Sequence, residues 1–109
     1  MTKITIFRNQ DHAFLGFDCL GHAGYAESGS DIICAGVSAL VINTINSIDA
    51  LTVSTFRLDT EEESGLIDFT FEEAADHDAQ LLVESMILGL QGIQNDYGNE
   101  FIILNFKEV

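Results

Sequence analysis

Residues 21–51 read GHAGYAESGSDIICAGVSALVINTINSIDAL, and a change of texture inside this stretch decides the fold. Its first ten residues, Gly21 to Ser30, hold three glycines and two serines, the composition of a mobile loop. From Ile32 onward the pattern turns helical. Val37, Leu40, Val41, Thr44, Ile45, Ile48 and Leu51 recur at three- and four-residue steps, so one stripe faces a core. Ser30 or Asp31 is the expected N-cap. With Asp31 in that role, Ile32, Ile33 and Cys34 form the opening turn.

Strand signals lie on either side. In Thr2 to Arg8, Ile4 and Ile6 alternate with Lys3, Thr5 and Phe7, the period of a strand. Asn9 to His12 is turn-like, and Ala13 to Leu20 resumes a strand with Leu15, Phe17 and Cys19 on one face, giving a hairpin. Beyond the helix, Val53 to Asp59 and Leu66 to Phe71 read as two more strands. The acidic run Asp59 to Glu63, followed by Ser64 and Gly65, is the expected exposed connection between them. Asp76 or Asp78 can cap a second helix running to about Asp96, with Ala79, Leu82, Val83, Met86, Leu90 and Ile93 as its apolar stripe. Gly89 and Gly92 weaken it by ~1 kcal/mol each against alanine, unless close packing uses them. Tyr97, Gly98 and Asn99 end it in the manner of a C-cap glycine. Phe101 to Phe106 is a final strand. The order β-β-α-β-β-α-β implies an α+β fold: a mostly antiparallel five-stranded sheet with two helices on one face.

The 109 residues suit one domain, 1–109, and 47% hydrophobic content without proline describes an ordered chain. Four Lys and Arg stand against 18 Asp and Glu, for a net charge of -14. Ordinary nucleic-acid binding, which neutralises phosphates with cations, is excluded on that balance, and an anionic membrane is disfavoured. A basic partner is the natural complement; the bland alternative is that the charge maintains solubility. Met1 to Arg8 lacks the apolar core of a signal peptide, and the apolar stretches read as too short for the ~20 residues of a membrane span. Two cysteines, Cys19 and Cys34, make no disulfide framework, so a cytoplasmic protein with reduced thiols is expected. There is no CxxC, HxxxH, HExxH, GxGxxG or P-loop motif, so neither metal nor cofactor is expected.

Cys34 carries the sharpest chemical signal. At a helix N-terminus the partial positive charge and free amide hydrogens favour a thiolate, the nucleophilic form, and the same amides can stabilise an oxyanion. The alternative is a buried structural cysteine. His22 stands where the second strand ends, and the loop doubles back into the helix, so it can face Cys34. An imidazole there would take the thiol proton and return one to the leaving amine; otherwise it is a surface histidine. Asp31 either caps the helix or orients His22. Ser38, four residues after Cys34, shares a helix face with it; it either bonds near the nucleophile or back-bonds to the carbonyl of Cys34. Cys19 reads as core, His12 and His77 as solvated, and Glu61 to Glu63 with Glu72 and Glu73 as solvated acid unless they border the cleft.

The stretch Gly21 to Leu40, GHAGYAESGSDIICAGVSAL, closely resembles the motif region of the ribosomal-processing cysteine proteases, the Prp family. There a Gly-His-Ala strand end, a Gly-rich loop and an Asp-x-x-Cys-Ala-x-Val-Ser helix start recur in this order, and length and element order are similar throughout. The resemblance implies a cysteine endopeptidase that removes the N-terminal extension of large-subunit ribosomal protein number twenty-seven, cutting after an aromatic residue. It implies His22 and Cys34 as the catalytic pair, Gly21 as the hinge of a substrate loop that includes Gly24 and Gly29, and Asp31 and Ser38 as accessory positions. A homodimer is implied too. The basic ribosomal substrate agrees with the acidic composition.

Two rivals remain on the residues alone. An acidic binding module would hold a basic ribosomal protein or an assembly factor without cutting it. A thiol redox sensor would use Cys34 with Cys19 as its resolving cysteine, which a mid-strand position disfavours. If the protease reading holds, the loop Gly21 to Ser30 is expected to close over substrate.

Overall fold

Ile4 and Ile6 are fully buried while Lys3 is exposed, the two-residue period of a strand packed on one side. They belong to β1 (Thr2–Arg8) of a computed structural model that describes residues 2–21, 30–97 and 101–109. The other elements are β2 (Phe14–Leu20), α1 (Ser30–Leu51), β3 (Phe56–Glu61), β4 (Leu66–Phe71), α2 (His77–Tyr97) and β5 (Ile102–Glu108). The element order is the expected one and the class is α+β. The five strands line up as β3-β4-β2-β1-β5. Every neighbouring pair is antiparallel except β1 with β5.

One hydrophobic core joins the sheet to both helices. Val37, Val41 and Ile48 of α1 and Ala79, Val83 and Leu90 of α2 are fully buried with Phe17, Phe69 and Ile102 of the strands. Phe69 anchors it, stacked on Phe17 at 4.7 Å and edge-on to Phe71 at 4.9 Å. The helices also pack on each other. A Cβ built on Gly89 would lie 2.9 Å from Leu40 Cδ1, whereas one on Gly92 meets nothing within 4 Å. Close packing therefore accounts for Gly89 and not for Gly92.

Several boundaries differ from the sequence reading, each for a physical reason. In β2, Phe7 pairs with Gly16 and Arg8 with Phe14, so Leu15 is the extra residue of a β-bulge. The bulge turns Phe14, not Leu15, into the core beside Phe17 and Cys19. Strand β3 starts at Phe56, not Val53, which is 87% exposed. The residues before it are held elsewhere: Thr52 Oγ1 donates to the Ile48 carbonyl, Ser54 Oγ donates to Asp76 Oδ1, and the Asp76 N–H donates back to Ser54 Oγ. Asp59 to Glu61 are strand residues rather than loop, tolerated because β3 is an edge strand. The connection is the turn Glu62 to Gly65, where Gly65 has φ 70°. Helix α1 opens at Ser30, so Asp31 is its second residue. Leu51, at its far end, is exposed. For α2 the cap is Asp76, whose Oδ1 accepts the Ala79 N–H at 2.9 Å. Strand β5 runs to Glu108, two residues beyond Phe106, because β1 pairs with it as far as Arg8. The C-cap expected at Gly98 lies outside the described residues.

The segment Ile32–Leu51 is, by length and composition, apolar enough to cross a bilayer, contrary to the sequence reading. Its stripe of Val37, Val41, Ile45 and Ile48 is buried in the core instead, and Asn43, Asn46 and Asp49 face outward.

Candidate active site

Cys34 lies in α1 where the helix first meets the end of the sheet. It is the fifth residue of the helix, just past the opening turn rather than within it, because the helix begins at Ser30. Its side chain is only 3% exposed. The sulfur sits 3.2 Å from the hydroxyl of Thr2, the first residue of β1, and either atom can be the donor. Thr2 is buried as well, and its N–H donates to the Phe101 carbonyl at 2.9 Å.

Cys19 is a core residue, as its strand position suggests, directly across from Ile4 and Ile67. Burial, and secondarily the nearby Cys34, push its thiol up to about 11. A thiol held that high is a poor nucleophile near neutral pH. The two cysteines are electrostatic neighbours, a proximity the sequence reading did not anticipate.

Gly21 follows β2 with φ 138°, a conformation that residues with a side chain rarely adopt. That freedom lets the chain leave the sheet at the expected hinge. His22, Gly24 and Gly29 lie outside the described residues, as does the expected loop closure. Asp31 occupies the first turn of α1.

Gly21 and Ser38 line one groove of about 310 Å³, together with Glu61, Glu62, Gly65 and Leu66. Ser38 is exposed there, one helical turn after buried Cys34. The β3–β4 hairpin thus brings two carboxylates, Glu61 and Glu62, to the groove that Gly21 borders. Glu72 does not join them; it borders a separate pocket with Arg57, Thr70 and Phe71. A cavity of about 490 Å³ is also remote. It is lined by Arg8, Phe14 and Phe106, at the opposite end of β1 from Thr2. His12 and His77 are solvent-exposed, as expected, His77 beside Asp78 at 3.5 Å.

Thr2 is the residue that sequence reasoning missed. It carries no motif, and its contact with Cys34 spans 32 positions. The available signal was parity: Thr2 shares the inward phase of Ile4 and Ile6, which makes it a hydroxyl on an apolar face.

Known proteins match this arrangement along nearly its whole length. Residues 1–102 match the family described as Cysteine protease Prp. The chain is 41% identical over 101 residues to the ribosomal processing cysteine protease Prp of Bacillus subtilis, covering 89% of this chain and 90% of that protein. Its fold is similar to that of the essential ribosomal processing protease Prp of S. aureus solved with a substrate peptide, with TM-score 0.91 and 31% identity over 98% of this chain and 100% of that one. The same S. aureus protein with a covalently linked product peptide gives TM-score 0.87 and 32% identity, again over 98% and 100% of the two chains. With this match along nearly the whole sequence and fold, the chain belongs to the cysteine protease Prp family.

Proposed function

We propose that this cysteine protease removes the N-terminal extension of large-subunit ribosomal protein number twenty-seven, with Cys34 as nucleophile and His22 as base. One observation carries the assignment of the nucleophile. A cysteine protease needs a reactive thiol, and the chain has two cysteines. Cys19 is locked in mid-strand with its thiol pushed up to about 11, whereas Cys34 sits near a helix start, one turn from a groove lined by Gly21 and Ser38.

In this reaction His22 takes the Cys34 proton and the thiolate attacks the scissile carbonyl. Free amide hydrogens at the start of α1 stabilise the oxyanion. The tetrahedral intermediate collapses, the amine leaves with a proton from His22, and an acyl group remains on Cys34. Water, deprotonated by His22, then releases it. The covalently linked product peptide of the S. aureus relative supports a covalent route. Gly21 acts as the hinge of a substrate loop containing Gly24 and Gly29, Asp31 and Ser38 are accessory, and Glu61 and Glu62 attract the basic residues of the substrate. The resemblance to the family supports a homodimer working in the cytoplasm.

The test is cleavage of a peptide spanning the extension junction, read by mass, with wild type, Cys34→Ala and His22→Ala. A single cut after the aromatic residue, absent from both variants, is expected. An uncut peptide that nonetheless binds would replace this reading with that of a binding domain.

A further inference from the structure

We infer that Thr2 is a positioning residue for the reacting sulfur, its hydroxyl holding Cys34 Sγ in place and donating the hydrogen bond that the thiolate needs once the proton has gone. The inference rests on Cys34 being the nucleophile. Thr2 Oγ1 and Cys34 Sγ are 3.2 Å apart, and the two residues are only 5% and 3% exposed. Bulk water has little access to solvate an anion there, and a buried charge without hydrogen-bond donors is costly. A hydroxyl can give or accept a hydrogen bond. A thiol can do either as well, but a thiolate has no proton and only accepts. Loss of the Cys34 proton therefore leaves Thr2 as donor of this bond. The change requires rotation of one hydroxyl hydrogen and no movement of heavy atoms.

The hydroxyl is also placed with little freedom. Thr2 pairs with Ile102, its N–H is held by Phe101, and Lys3 next to it pairs with Leu20. Strand β1 is thus fixed on both edges where it meets Cys34. A β-branched side chain adds a stiff χ1. The next inward positions on this strand, Ile4 and Ile6, are apolar and fully buried. Packing alone would be served by valine, which has the same shape, so the hydroxyl points to a polar role.

The experiment measures, for wild type, Thr2→Val and Thr2→Ser, the rate of iodoacetamide modification of Cys34 against pH, located by peptide mass mapping, together with kcat and KM for the junction peptide. Thr2→Val should move the midpoint of the pH–rate curve about one unit upward and lower kcat about tenfold with KM little changed, the scale of a hydrogen bond to a charged group. Thr2→Ser should restore both. If Thr2→Val does not fold, Thr2→Ala removes the same hydroxyl and carries the same expectation. A variant without the hydroxyl that keeps the wild-type pH curve and kcat, or a serine variant that rescues neither, overturns the role of Thr2. A Cys34→Ala enzyme that still cleaves overturns the nucleophile assignment instead, so the two failures are distinguishable.

Discussion

Asp18 and Asp68 face each other across β2 and β4 as paired strand residues, on the side of the sheet opposite Phe17 and Cys19. Asp59 pairs with Asp68 in turn, which sets three carboxylates in a row across three strands. Partial burial, then a hydrogen bond to Asp68 and its charge, raise Asp18 to about 6 from 3.8.

The sign of the resulting pH dependence follows. Between about pH 4 and pH 6 the folded state holds more protons than the unfolded one, so this contribution to stability is complete below the unfolded value and fades as pH rises through about 6. Asp18→Asn should remove the repulsion and raise stability near neutral pH by roughly 1 kcal/mol, a figure reduced for solvent screening of a carboxyl in contact with water. Urea unfolding of both proteins at about pH 5 and pH 7.5 checks this. The gain should shrink at the lower pH.

Three glycines should respond differently to alanine. A Cβ at Gly16 would overlap the backbone carbonyl oxygen of Phe69, which cannot swing aside, and Gly16→Ala should cost about 3 kcal/mol or more. Gly92→Ala meets open space and should stabilise α2 by about 1 kcal/mol. Gly89→Ala presses on the flexible end of Leu40, so the gain in helix propensity and the loss in packing nearly cancel. Thermal melts of the three variants should rank them Gly92, Gly89, Gly16.

Glu61 and Glu62 border the groove that holds Gly21 and Ser38. If they guide a basic substrate, the double variant Glu61→Gln, Glu62→Gln should raise KM about fivefold at low salt and leave kcat unchanged. The difference should fade as salt is added. Steady-state kinetics at two ionic strengths measure this.

Much of the fold was legible because strand and helix periods are local. The spans of β1 and β4 follow directly from alternation, and the buried face of α2 from its stripe. The misses involve partners distant in sequence. The Leu15 bulge is set by pairing with β1, and the late start of β3 by a polar knot between Ser54 and Asp76, 22 positions apart. The extension of β3 into Asp59–Glu61 depends on being an edge strand, which no local pattern reveals. At the site, Gly21, Cys34 and Ser38 announce themselves by residue type and spacing. Thr2 does not, since an ordinary threonine gains chemical meaning only when the fold sets it against a sulfur.

The mechanism stands or falls on Cys34 carrying the acyl group. It is tested most directly by treating the intact protein with a peptidyl chloromethyl ketone that ends in the aromatic residue of the extension, then mapping the adduct by mass. One adduct is expected, on Cys34, with loss of peptide cleavage in proportion to labelling. An adduct on Cys19, or cleavage that persists when Cys34 is fully labelled, would contradict it.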